Sequence, residues 1–348
     1  MPNTHPPLDA SSAPGADEAH RRSGESSLAS IYVALAANLV IAAAKLAAGL
    51  ATGSPALLSE AAHSVADSVN EVFLLTSLRR AGRAPNREHP FGYGKERFFW
   101  SFLAAVGIFV TGGCFSLYQG VRAWQTPPHE TGAGLVAAVM VLLVALVAEG
   151  ASLAKALSQA RARSEREHGL ALSDVTAEPA LRTVIAEDGT AVAGVFIALG
   201  GICLRAVTGE GRWEAGASWA IGLLLLTVAT RLGMEAQREL IGEAVDPRLQ
   251  DSLADFLAGQ PEIDAVIELL TMRLGTDSTL LAARIDLRPG IDSETVEEVC
   301  IRIKHELRER WPAFDHVFLD ITDLDAHHTA AIPGEGPTRR KIEIAEYP

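Results

Sequence analysis

The run SPALLSEAAHSVADSVNEVFLLTSL, residues 54–78, decides how the whole chain is read. It is long enough to cross a bilayer, yet it carries Ser59, Glu60, His63, Ser64, Asp67, Ser68, Asn70 and Glu71. A spanning helix offers roughly 20 mostly apolar residues. Five other segments meet that criterion: about 28–51, 98–122, 132–157, 184–207 and 214–232. Hydropathy alone hesitates over 54–78, but charge parity does not. The basic connections are Arg21–Arg22; then Arg79, Arg80, Arg83, Arg87, Lys95 and Arg97; then Lys155, Arg161, Arg163 and Arg166. The alternate connections, near Thr52–Ser54, Thr126–Thr131 and Thr208–Arg212, hold almost no basic residues. Basic loops prefer the cytoplasmic face, and these share one face only if 54–78 also crosses. The expectation is six spans with both termini cytoplasmic. An amphipathic surface helix over 54–78 is the alternative.

Composition divides the chain in the same way. Hydrophobic residues are 48% of its 348 and concentrate in 28–232, whereas 1–27 and 235–348 are polar. Of the net charge of −13, the segment Glu243–Asp325 alone carries −11, from 19 acidic and 8 basic residues. That acidity excludes nucleic acid as a partner. Cys114, Cys203 and Cys300 form no CxxC pair, so neither a disulfide framework nor a thiolate zinc knuckle is readable. Residues 1–27 lack the apolar core of a secretory signal and read as a flexible cytoplasmic tail. The expected organisation is that tail, a six-helix transmembrane domain over 28–234, a cytoplasmic domain over 235–325 and a flexible tail over 326–348.

An ionisable residue at mid-membrane costs roughly 3 kcal/mol on insertion scales, so the stripe in 54–78 must face the bundle interior or a wet cavity. His63 and Asp67 stand four apart and so share one helix face. Glu60 extends the stripe toward the outer end, Asn70 and Glu71 toward the inner. An imidazole and a carboxylate at that spacing supply two ligands to one tetrahedral cation, and zinc accepts the mixture. Manganese, ferrous iron and cobalt tolerate it too. The fifth span offers further ligands in Glu187 and Asp188. Adjacent helical residues point about 100° apart, so one of the two faces the second span and the other serves as a second ligand, a proton carrier or an ion-pair partner. Asn38 and Lys45 either hydrogen-bond across helices or snorkel. Glu149 and Lys155 are read as ordinary ion-pairing residues near the cytoplasmic end of the fourth span.

After Arg231 the periodicity changes. A helix is expected over Asp246–Gly259, strands over Ala265–Met272, Thr279–Leu287 and His316–Thr322, and a helix over Ser293–Arg310 with Val296, Val299, Ile303 and Leu307 on one face. That α-β-β-α-β order suggests a small α+β domain of ferredoxin-like type, with its helices on one sheet face.

At this point the residues resemble the cation diffusion facilitator family. The run Ser59–Asn70 matches its HxxxD element, His89-Pro-Phe-Gly-Tyr-Gly-Lys-Glu-Arg97 its signature between spans two and three, and Gly233–Ile241 its lead into the cytoplasmic domain. Six spans followed by an αββαβ domain complete the resemblance, which covers about residues 28–323. It implies a homodimer, metal/proton antiport and export from the cytoplasm, with His63, Asp67, Asp188 and Glu187 as the metal site. Familiar zinc members carry a second HxxxD or DxxxD in the fifth span. Glu187-Asp188 without His looks more like the branch of the ninth animal zinc transporter. Tyr93 stands where many relatives have a second loop His, which puts the accessory site of His89 in doubt. Leu319 stands where relatives place a His on the last strand, and His305, His316, His327 and His328 read as surface or fold residues.

Metal binds neutral imidazole and ionised carboxylates, so its binding releases protons. Exchange at a shared site then needs no ATP, and the chain has no P-loop. The expected function is export of zinc against protons, with metal as substrate and no resident cofactor. Manganese, iron or cobalt export is the nearest alternative. An enzyme lacks support, because no HExxH-type run supplies the third ligand and general base. A receptor or scaffold whose polar stripe is structural is the remaining rival. The Ala- and Arg-rich composition suggests a bacterial inner membrane.

Overall fold

The structure, a computed structural model, describes residues 35–126, 132–166 and 179–322. The terminal tails expected over 1–27 and 326–348, with His327 and His328, lie outside the described residues. The chain divides into two compact units, Met1–Thr76 with Leu103–Gly233 and Ser77–Phe102 with Met234–Pro348.

Among the described residues the first unit is built from six helices, some of which run on into the second: α1 (Leu35–Thr52), α2 (Pro55–Ala81), α3 (Glu96–Gln125), α4 (Gly132–Arg166), α5 (Pro179–Thr208) and α6 (Arg212–Ile241). Five of them, α1 and α3 to α6, are long and apolar enough to cross a membrane. The 27-residue α2 falls short on apolarity, against the six spans expected. The physical reason is its position. Ser59, Glu60, His63, Ser64 and Ser68 are buried alongside Ala56, Leu57, Ala61 and Ala66, so the polar face of this helix is turned into the protein while Val65, Val72 and Leu74 on its other side are exposed. Apolar side chains of α3 to α5 such as Phe109, Met140, Val147 and Phe196 are exposed likewise.

The hairpin turns α1–α2 and α5–α6 are made alike. Gly53 (φ 70°) and Gly209 (φ 76°) follow the two helix ends in the left-handed conformation. Their N–H groups bond back to the Gly49 and Arg205 carbonyls at 2.8 Å, the αL cap that glycine permits. Both turns share one end of the bundle, because the Ser54 hydroxyl donates to the buried Glu214, which also accepts from Arg205 at 2.8 Å. Within α3 a π-helical segment, Ile108–Cys114, presents Gly112 and Gly113 to Leu225 and Leu226 of α6.

In the second unit the order is α7 (Pro247–Ala258), β1 (Ile263–Arg273), β2 (Thr279–Leu287), α8 (Ser293–Arg310) and β3 (His316–Ile321). The sheet runs β1-β2-β3, with β1 and β2 antiparallel and β2 and β3 parallel across the α8 crossover. Alternation along β2 buries Thr279, Leu281, Ala283 and Ile285, and the last three share a core with Leu253, Leu257, Val299, Ile303 and Leu307. Asp246 caps α7 by accepting from the Arg248 N–H at 2.9 Å, ahead of Pro247 at the first helical position. Asp292 caps α8 likewise, and the Thr295 and Glu294 N–H groups hold its carboxyl below the usual carboxylate range. That contribution is present above the ordinary carboxylate pKa and is lost as pH falls through the depressed one.

The connection carrying the loop signature packs on the β1–β2 hairpin of its own unit. A Cβ on Gly94 would lie 2.4 Å from the Leu274 carbonyl oxygen and 3.0 Å from Gly275 Cα. Lys95 Nζ stands 3.7 Å from Met272 Sδ, and Phe91 meets His316 edge-on at 5.2 Å. Overpacking costs about 1–3 kcal/mol. Gly94→Ala is therefore expected to raise amide hydrogen exchange across residues 86–97 by roughly tenfold. Wild-type exchange in that variant would show that the loop does not depend on this close approach.

Candidate functional site

The polar stripe of α2 meets three neighbouring helices in two layers. In the layer nearer its N-terminus, Lys45 of α1 is fully buried. Its ammonium donates to Glu149 of α4 at 2.8 Å, to Ser64 of α2 at 3.0 Å and to Glu60 of α2 at 3.1 Å. Each turn of α2 carries on the same polar face because its i and i+4 positions superpose. One such step joins the layers, with His63 Nε2 3.4 Å from Asp67 Oδ2.

In the second layer Asn70 donates to Glu187 of α5, Asn38 of α1 donates to Glu71 at 2.8 Å, and Ser152 of α4 donates to Asp188 of α5 at 2.8 Å. The two adjacent carboxylates therefore reach different helices, Glu187 toward α2 and Asp188 toward α4, as their angular offset on a helix requires. What lets α5 come so near α2 is Gly194. A Cβ there would fall 2.3 Å from Glu60 Oε1 and 3.6 Å from His63 Nδ1.

Of the four expected metal-site residues, the structure puts His63 and Asp67 side by side and sets Glu187 and Asp188 on the facing helix. Amide and hydroxyl donors hold those last two carboxylates. Among the described residues, no three His, Cys, Asp or Glu side chains converge at metal-holding distances. Lys45 does not snorkel, and Glu149 is not an ordinary end-of-span pairing residue: they bind one another in the interior. Opposite charges in the middles of two apolar runs were the signal, since a lone charge there is costly. Asn38 does hydrogen-bond across helices. In the second unit His89 lies against Tyr93 with ring centroids 4.3 Å apart, His305 pairs with Glu309 on the exposed face of α8, and Leu319 packs against the sheet core.

Residues 31–241 match the cation efflux transmembrane domain model. This chain belongs to the cation efflux, or cation diffusion facilitator, family. It is 31% identical over 260 residues to Metal tolerance protein C4 of Arabidopsis thaliana, covering 74% of this chain and 56% of that one. It is 31% identical over 246 residues to the mitochondrial Proton-coupled zinc antiporter SLC30A9 of Xenopus laevis, covering 70% and 43%. The chain thus spans about half the length of those two relatives. Similarity to Magnetosome protein MamM of Paramagnetospirillum magneticum, at 27% identity, extends over 91% of this chain and 92% of that one. The family is one of membrane transporters, not of enzymes.

Proposed function

We propose that this chain exports a divalent cation, zinc foremost, from the cytoplasm in exchange for protons. The observation that carries the reading is the His63–Asp67 pair, 3.4 Å apart on the inward face of α2, with Glu187 and Asp188 on the helix that faces it. His63, Asp67 and one carboxylate of α5 bind the ion, and the other carboxylate completes the site or carries a proton. Neutral imidazole and ionised carboxylates are the metal-binding forms, so the ion displaces protons on arrival and leaves proton acceptors on departure. Two fluxes that compete for one set of atoms are coupled without ATP. Rocking of the helices around this level would open it to each face in turn.

Support for zinc comes from the imidazole, which suits a borderline-soft ion, and from the similarity to the frog proton-coupled zinc antiporter. Helix α2 crosses as a sixth span in this reading, which places the basic connections and both termini on the cytoplasmic side. The bundle over 28–234 is followed by a ferredoxin-like cytoplasmic domain over 235–325, in a homodimer seated in a bacterial inner membrane. The test is flux of zinc, and separately of manganese, iron and cobalt, into proteoliposomes under an imposed pH gradient. Zinc flux that grows with the gradient and collapses with a protonophore is expected. A gradient-independent flux would remove the proton from the mechanism, and preference for manganese, iron or cobalt would replace zinc. No flux with any of the four would favour a structural role for the stripe.

A further inference from the structure

Lys45 heads the largest fully buried side chains of the described structure. An ammonium has three donors, and all three are used, on Glu149, Ser64 and Glu60. Its nitrogen sits between two carboxylates from different helices, as a bound cation would. Those carboxylates are not exhausted by it. Among the described residues, Glu60 Oε1 and Glu149 Oε2 are buried and accept no hydrogen bond, and Glu60 is fully buried. Without the ammonium, Glu60 and Glu149 would present four carboxylate oxygens from two helices to the space it now fills. That is a hard-donor set for a divalent ion, and one of matching charge. An ion held there would meet no competing positive charge, and a carrier that binds its substrate too strongly cannot release it.

We propose that Lys45 is a tethered cation that closes a second divalent-ion site formed by Glu60 and Glu149, leaving the bundle interior to hold its substrate at the His63–Asp67 level alone. The inference rests on the reading of His63 and Asp67 as the transport site. Lys45 is a specificity-setting residue in this scheme. It touches neither His63 nor Asp67 through any of its three bonds, and it fixes how many ions the interior accepts. With Lys45 in place the acid pair keeps one net negative charge. With a neutral residue there the two carboxylates lose their internal counter-charge, and only protons or another cation can supply it.

The experiment counts zinc. Full-length wild type, Lys45→Met and Lys45→Gln are purified in detergent, equilibrated with Zn2+ alone, desalted and assayed for zinc per protomer by mass spectrometry. Both variants are expected to hold about one zinc per protomer more than wild type, and adding Glu149→Gln to Lys45→Gln is expected to return the count to the wild-type value. Lys45→Gln keeps donors for the carboxylates, so it carries the test if Lys45→Met does not fold. A folded Lys45→Gln protein with the wild-type count overturns the proposal. Because the readout is a difference, the two readings fail separately. Wild type without zinc, beside a Lys45→Gln variant that gains one, would sink the His63–Asp67 site and keep the tethered cation. Zinc that wild type loses on Asp67→Asn, with no gain on Lys45→Gln, would do the reverse.

Discussion

Asp67→Asn is expected to reduce pH-driven zinc flux in proteoliposomes by at least about 100-fold while leaving the protein folded. The magnitude follows from metal-site energetics: partners of ligands are worth roughly 10–100-fold in affinity, and a charged ligand counts for more. Asparagine retains the volume and one oxygen of the side chain, so it still fills the space 3.4 Å from His63. It lacks the charge that offsets a divalent ion, and it takes up no proton when that ion leaves. Loss of both properties distinguishes this variant from one that merely loosens packing. The unfolding temperature should stay close to wild type, because the neutral amide is easier to bury than the carboxylate it replaces. Companion variants Glu187→Gln and Asp188→Asn then divide the labour on α5: the greater loss marks the direct ligand. Undiminished, gradient-dependent flux through folded Asp67→Asn would remove this residue from the site.

The parts of this molecule that announce themselves in sequence are those governed by local periodicity. Strand β2 and helix α8 run over the expected residues, Thr279–Leu287 and Ser293–Arg310, because alternation in one and the Val299, Ile303, Leu307 spacing in the other leave little freedom of register. Helix α2 was legible as a helix with one polar face. Its apolarity was not a guide, since hydropathy measures suitability for lipid and the polar face of this helix is turned into the protein. The partners of the stripe were out of reach for another reason. Lys45 and Glu149 lie 104 positions apart, and no periodic pattern links them. Only the cost of leaving each charge alone in an apolar run hints that they meet. Glu187 and Asp188 fall between these cases. Their angular offset is a property of any helix, whereas which of them turns to Asn70 and which to Ser152 depends on the rotation of α5, set by packing.

That packing turns on Gly194, and Gly194→Ala is expected to cost both stability and transport. The added methyl would come 2.3 Å from Glu60 Oε1 and 3.3 Å from Glu60 Cδ. A flexible side-chain end could swing away from such a contact, but this carboxylate is held by Lys45 at 3.1 Å in the buried interior. Either Glu60 leaves the ammonium, or α5 moves off α2 and carries Glu187 away from Asn70 and the stripe. Overpacking of this kind costs about 1–3 kcal/mol. A displacement of about 1 Å between groups that must act together can cost roughly 100-fold in rate by comparison with enzyme sites. Gly200, on the same helix, provides the control, for nothing lies within 4 Å of its Cβ position. Gly200→Ala should stay within about 0.5 kcal/mol of wild type, as substitutions away from packed features do. Thermal unfolding in detergent and zinc flux in vesicles, measured on the two variants together, separate a general intolerance of α5 from a requirement at this contact. Equal behaviour of Gly194→Ala and Gly200→Ala would mean that α2 and α5 have room to spare, and that close apposition of His63 and Glu60 to α5 is not what organises the site.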